Sequence, residues 1–184
     1  MTVKDILKKS ATLSGREDVV EYLSSNTVAT EETNYAVNAM LRLLNMVISE
    51  LCASFVPMVT IEEIDATDTI KYENLKKTAI EIVRVFDQSG NEIPFKVYYD
   101  HAKTQSICTK VEYKFHPQTY AINDEIDYSE KDISETLLAI GLSAEFALSE
   151  GDFDRACSLH ERFVEGVRAI LRPKNTKIKA RSWA

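Results

Sequence analysis

With 184 residues, 45% of them hydrophobic and 28% charged, the chain is long enough to bury a core as one domain without disulfides or a structural metal. Its net charge of −7 is unevenly spread: residues 172–184 hold Arg172, Lys174, Lys177, Lys179 and Arg181 and no acid, leaving 17 basic against 29 acidic residues, a net −12, on the rest. An acidic body argues against wrapping a nucleic-acid duplex, and three scattered cysteines (Cys52, Cys108, Cys157) without a C-x-x-C pair argue against a disulfide framework or a zinc ribbon.

The opening "MTVKDILKKS" contains an acid and no apolar h-region, so it does not read as a secretory signal. Thr2 is placed to cap a short helix bearing Val3, Ile6 and Leu7, which Gly15 ends; a second short helix carries Val19, Val20 and Leu23. The strongest helical pattern follows. Thr30 is its N-cap, Glu31 and Glu32 sit at the positive end of its dipole, and Val37, Met40, Leu41, Leu44, Val47, Ile48, Leu51, Cys52 and Phe55 recur at three- and four-residue spacing up to Pro57. Arg42, Asn45 and Glu50 interrupt the apolar run, which predicts a core helix and no membrane span.

From Val59 to Phe115 the period shifts to two, which predicts strands. "VTIEEIDATDTIKY" suggests a small hairpin. "AIEIVRVF" and "IPFKVYY" suggest a second, bent at Gly90, with Pro94 marking an edge. In "SICTKVEYKF", Ile107, Thr109, Val111, Tyr113 and Phe115 share one face and Cys108, Lys110, Glu112 and Lys114 the other. "QTYAINDEIDYSEK" then reads as a solvated acidic loop; the glycine and terminal glutamate of a calcium-binding EF-hand are missing, so no metal is assigned to Asp124, Glu125 and Asp127.

A helical hairpin closes the folded part. Its first stripe is Ile133, Leu137, Ile140, Ala144 and Leu148, with small residues Ala139, Gly141 and Ser143 suited to close helix approach. Gly151 ends that helix and Asp152 caps the next, whose predicted stripe is Phe153, Ala156, His160, Phe163, Val164, Val167, Ile170 and Leu171. Pro173 stops it, and "TKIKARSWA" alternates as an extended arm would.

Cys157 and His160 are the residues nearest to a reactive pair, three apart on this second helix. A zinc site needs about four ligands, and no second ligand pair accompanies them; His101 and His116 lie among the strands. Thiol catalysis needs a base against an electropositively stabilised thiolate, which this spacing alone does not supply. His160 is therefore expected to pack on the apolar stripe. The chain has no Walker or dinucleotide glycine motif, no G-x-S-x-G elbow and no H-E-x-x-H helix, so no catalytic residue, cofactor or metal is assigned.

The predicted class is α+β in a single domain, 1–184: a helical bundle from 1–57 and 132–172, a β-meander insertion over 58–117, and a C-terminal arm over 173–184. "EGDFDRA" resembles half of a tetratricopeptide repeat, but Gly141 and Gly151 are ten apart where that repeat has seven, and no second copy occurs. The whole layout resembles the head-to-tail adaptor (connector, or neck) proteins of tailed bacteriophages and prophages: a long helix "TEETNYAVNAMLRLLNMVISELCASF", inserted strands, a returning hairpin "DISETLLAIGLSAEFALSEGDFDRACSLHERFVEGVRAILR", and the arm "PKNTKIKARSWA". The short helices before Ser25 are not a fixed feature of that family.

The resemblance implies a non-enzymatic virion protein, assembled in the bacterial cytoplasm, that forms a ring of its own copies between portal and tail. Its partners would be the portal, the next neck or tail protein, and DNA passing through without sequence-specific binding; no membrane is involved. In that setting Lys177, Ile178, Lys179, Arg181 and Trp183 are the expected subunit-interface residues, Ile178 and Trp183 as anchors and the cations as register pins. The alternatives are another tail-associated component such as a tail terminator, or a non-viral helical-hairpin interaction module.

Overall fold

The structure, a computed structural model, describes residues 1–25, 28–128 and 133–172. The fold is α+β, with five helices and a four-stranded antiparallel sheet among these residues. The first helix, α1 (Val3–Ser14), begins at Thr2, whose hydroxyl oxygen accepts from the Asp5 amide, and ends at Gly15, whose φ of 69° lets the chain turn where a side chain would be strained. The Arg16 guanidinium holds Asp18, in α2 (Glu17–Ser25), through two 2.9 Å hydrogen bonds, and the Thr33 hydroxyl donates to the same carboxylate across 3.0 Å. Arg16 first and Thr33 next hold the Asp18 carboxyl down to about 2. That joins α2 to the first turn of α3 (Glu31–Ser54), which Thr30 caps as expected.

α3 is long and apolar enough to cross a membrane by length and composition, and it buries Val37, Met40, Leu44, Val47, Ile48, Leu51 and Cys52 in the protein's own core. Phe55, expected on that stripe, is half in solvent at 45% exposure, because it follows the last helical turn and leaves the stripe's line.

The sheet contains β1 (Met58–Lys71), β2 (Ala79–Phe86), β3 (Phe95–Val97) and β4 (His101–Phe115). The last strand is central: β1 pairs along one side of β4, while β2 and β3 share its other side. Two sequence expectations are corrected here. The 58–71 segment is one strand rather than a small hairpin. Nor do 79–86 and 93–99 form a long hairpin: beyond the Asp87–Asn91 turn around Gly90, a single Phe86–Glu92 bridge joins them. Pro94 has no N–H to extend that ladder, and β3 moves on to Ala102–Thr104 of β4, leaving Lys110–Phe115 to β2.

The expected alternation in β4 holds for Val111, Tyr113 and Phe115, all buried, but inverts further up, where Cys108 is buried and Ile107 is 62% exposed. The change falls between Val111 and Cys108, where the regular pairing of β1 with β4 ends at Glu63–Lys110 and resumes at Thr67–Cys108 with two extra residues in β1.

The acidic segment after β4 is also more than a solvated loop. Tyr120, Ile126 and Tyr128 are buried in the main core. Asn45 on α3 makes two hydrogen bonds to the Tyr120 backbone, donating to its carbonyl (3.1 Å) and accepting from its amide (2.7 Å). The Tyr128 hydroxyl donates to the Val56 carbonyl at 2.6 Å, and the Val3 amide to the Asp124 carbonyl at 3.0 Å. Asp124 and Asp127 are occupied internally, by the Ala121 amide and by Lys77 with the Tyr120 hydroxyl. An acidic composition hid three aromatic and aliphatic anchors.

α4 (Glu135–Ser149) is capped by Ser134 and buried on nearly every side from Leu137 to Ala147; only Glu145 in that span is half-exposed. It packs on α1, α3 and α5. Small residues permit this: Ser143 meets Ser10 of α1 at 2.9 Å, and a Cβ on Gly141 would lie 2.7 Å from the Phe163 ring of α5 (Phe153–Leu171). In α5 the buried residues are Ala156, Leu159 and Val167, with Phe163 and Ile170 partly buried against the core. His160, predicted on that face, is exposed, as are Cys157 and Phe153. Leu159 takes the inward place in the turn after Ala156 while Ala156, Phe163, Val167 and Ile170 stay on the predicted face; a leucine gains more from burial than an imidazole.

Gly141→Ala is expected to lower stability by about 1–3 kcal/mol, because the packed Phe163 ring must shift as a plane. Gly166→Ala, whose Cβ meets only the rotatable Cδ1 of Leu137, is expected to cost less or to stabilise through helix propensity. Urea melts of the two variants side by side check the ordering.

Candidate assembly surface

The residues assigned to a subunit interface, Lys177, Ile178, Lys179, Arg181 and Trp183, lie outside the described residues. Cys157 and His160 stand on the solvent side of α5, while His101 and His116 mark opposite ends of β4. His101 is engaged locally, stacked on Tyr98 with centroids 4.7 Å apart and bonded through Nδ1 to Asp100 at 2.7 Å. Among the described residues no three His, Cys, Asp or Glu side chains are grouped to hold a metal ion.

The chain's less ordinary surface belongs to the sheet. On its outer face, charged pairs cross the strands: Lys114 with Glu81 (2.6 Å), Arg84 with Glu112 (2.6 Å) and Lys110 with Glu63 (3.0 Å). Each pair joins directly opposed or neighbouring rungs, so side-chain charge reinforces the ladder. Beside these rows, on β1, Val59 and Ile61 are 47% and 60% exposed. β1 pairs only with β4, so among the described residues its other edge carries backbone groups without a strand partner.

The same strand is acidic, with Glu62, Glu63, Asp65 and Asp68 against one lysine, Lys71. Glu62 is buried and pinned: the Tyr113 hydroxyl donates to it at 2.6 Å and the Lys76 amide at 3.1 Å, while the Lys77 amide donates to the Tyr113 oxygen at 3.3 Å. These bonds seat the crossover between β1 and β2 against the sheet. Burial, and then the Glu62 carboxylate, push the Tyr113 phenol up to about 12. Between this crossover and the upper part of β1 lies a cleft of about 560 Å³, lined by Glu62, Ile64, Asp65, Thr67, Asn74 and Leu75 among others. Glu63 and Asp65 stay exposed beside it, and Asp65 has no ion-pair partner among the described residues.

An unpaired strand edge, an acidic rim and exposed apolar side chains together suit an extended, cationic segment: its backbone can continue the ladder while its side chains meet the acids. Sequence reasoning missed this surface because which strand lies at an edge is decided by pairing order, and the order puts the last strand in the middle. The run "EEIDATD" was the available signal. No protein-family model and no curated protein matches the chain.

Tyr113→Phe is expected to cost about 1–3 kcal/mol, since Glu62 loses a donor inside the fold. Because the folded phenol titrates higher than the ordinary value of 10, the stability it contributes is complete below pH 10 and is lost as pH rises towards about 12. Chemical melts across pH 8–12 should show wild-type stability falling over that window, with a shallower fall in the phenylalanine variant.

Proposed function

We propose that the chain is a structural virion protein of a tailed phage or prophage, a head-to-tail adaptor whose copies form a ring between portal and tail around the DNA exit channel. The observation that carries this reading is the placement of α4: the chain leaves the bundle after α3, builds the sheet, and returns to insert α4 between α1, α3 and α5. The sheet is thus an excursion from a helical bundle, as in the adaptor layout. The acidic body suits a channel wall that must not retain DNA, because like charge disfavours phosphate contact. The last dozen residues, with four cations and no acid, have the composition to join an acidic neighbouring copy head to tail, and contacts of that kind close into rings when the rotation allows.

The experiment is negative-stain imaging with native mass spectrometry of the purified protein, alone and with the portal ring of the same phage. Rings are expected with the portal present. A chain ending at residue 172 is expected to lose them while still melting cooperatively. Rings formed equally well by the truncated chain would contradict the role given to the arm, and a full-length chain that never assembles on the portal would contradict the adaptor reading itself.

A further inference from the structure

We propose that residues 173–184 of one copy add as a strand along the unpaired edge of β1 in the next copy. This rests on the assembly reading above and names the surface that reading needs. The arm leaves from the end of α5, in the bundle, whereas the free edge belongs to the sheet. Donor and acceptor are therefore different patches, as a head-to-tail contact between copies requires. With 177–183 paired along β1, residues 173–176 form the crossing and reach about 13 Å when extended, so the end of one subunit's α5 must lie within that distance of its neighbour's β1.

Charge and side-chain alternation choose the partner and the register. Lys177, Lys179, Arg181 and Trp183 fall on one face of an extended strand, and Ile178, Ala180 and Ser182 on the other. On β1, Val59, Ile61 and Glu63 stand opposite Lys114, Glu112 and Lys110 on the outer face and are exposed, Glu62 faces in, and beyond Glu63 the exposed Asp65 lines the rim of the cleft together with Ile64. Laid antiparallel, Lys177 meets Asp65, Lys179 meets Glu63 and Trp183 meets Val59 on the outer face. Ile178 then meets Ile64 at the cleft. Lys177 and Lys179 thus each find an acid, Ile178 and Trp183 each find an apolar side chain, and Arg181 lies over the exposed Ile61, where its methylene stem covers apolar surface while its guanidinium stays in water. The competing Glu63–Lys110 pair is a half-exposed contact that a second cation can share.

The test is charge exchange in the full-length chain, read by sedimentation velocity at low ionic strength. Glu63→Lys with Asp65→Lys, and separately Lys177→Glu with Lys179→Glu, should each weaken self-association roughly tenfold or more. An equimolar mixture of the two variants should restore it, since each arm then meets an edge of opposite charge. Recovery in the mixture shows that both variants are folded. Unchanged association of either variant, or a mixture that stays dissociated while wild type associates, would overturn the docking site. Association that vanishes when 173–184 is deleted yet ignores the Glu63/Asp65 reversal would overturn this site and leave the adaptor reading standing. A wild-type chain that stays monomeric, even with the portal ring present, would overturn both.

Discussion

The burial of α4 constrains everything else. A helix carrying Leu137, Leu138, Ile140, Leu142, Ala144, Phe146 and Ala147 is apolar all round, and at about 25 cal/mol per Å² it cannot leave any face in water without losing several kcal/mol. It needs neighbours on all sides, and α1, α3 and α5 provide them. Two small residues make the enclosure close: Ser143 against Ser10, and Gly141 beneath Phe163. Because α4 comes after the sheet in the chain and α1 and α3 come before it, both ends of the sheet are tied to the same bundle.

The tie is made by the segment between β4 and α4. Tyr120, Ile126 and Tyr128 enter the core; the Tyr120 and Tyr128 hydroxyls donate to Asp127 and to the Val56 carbonyl, and Asn45 holds the Tyr120 backbone. The Cys52 thiol adds a bond to the Phe115 carbonyl at 3.4 Å, directly between α3 and β4. One hydrophobic cluster consequently runs from α1 through α3 and the sheet to α4. For the proposed ring this matters mechanically: an arm bound to one subunit's β1 would load the sheet, and the load would pass to the bundle through buried contacts rather than through a loose linker.

Legibility in the sequence followed the reach of the signal. Helices were readable because their caps and stripes are local: Thr2, Gly15, Thr30, Gly151 and Asp152 stand at helix boundaries as expected, whereas the Ser134 cap of α4 was not singled out. What failed was non-local. Pairing order in the sheet depends on which strands meet, and the buried set of β4 changes from Val111, Tyr113 and Phe115 to Ala102, Thr104 and Cys108 where its pairing with β1 becomes irregular, against a period that is regular in the sequence. His160 was misplaced because positions 159 and 160 are both three or four residues from Ala156 and Phe163, so either fits the stripe, and Leu159 won the inward place. The loop's acids drew attention away from its tyrosines. The candidate edge on β1 inherits the first of these failures, whereas the arm's charge and alternation were plain from composition.

Native-state hydrogen exchange tests the central claim most directly. If α4 is the shared wall of one cooperative core, its amides from Leu138 to Ala147 should exchange only through global unfolding, with the same free energy as the middle of α3 and the Val111–Phe115 end of β4. Protection of α4 and α3 that clearly exceeds that of lower β4, with the sheet opening alone at much lower free energy, would contradict the account and leave the sheet as a loosely attached lobe.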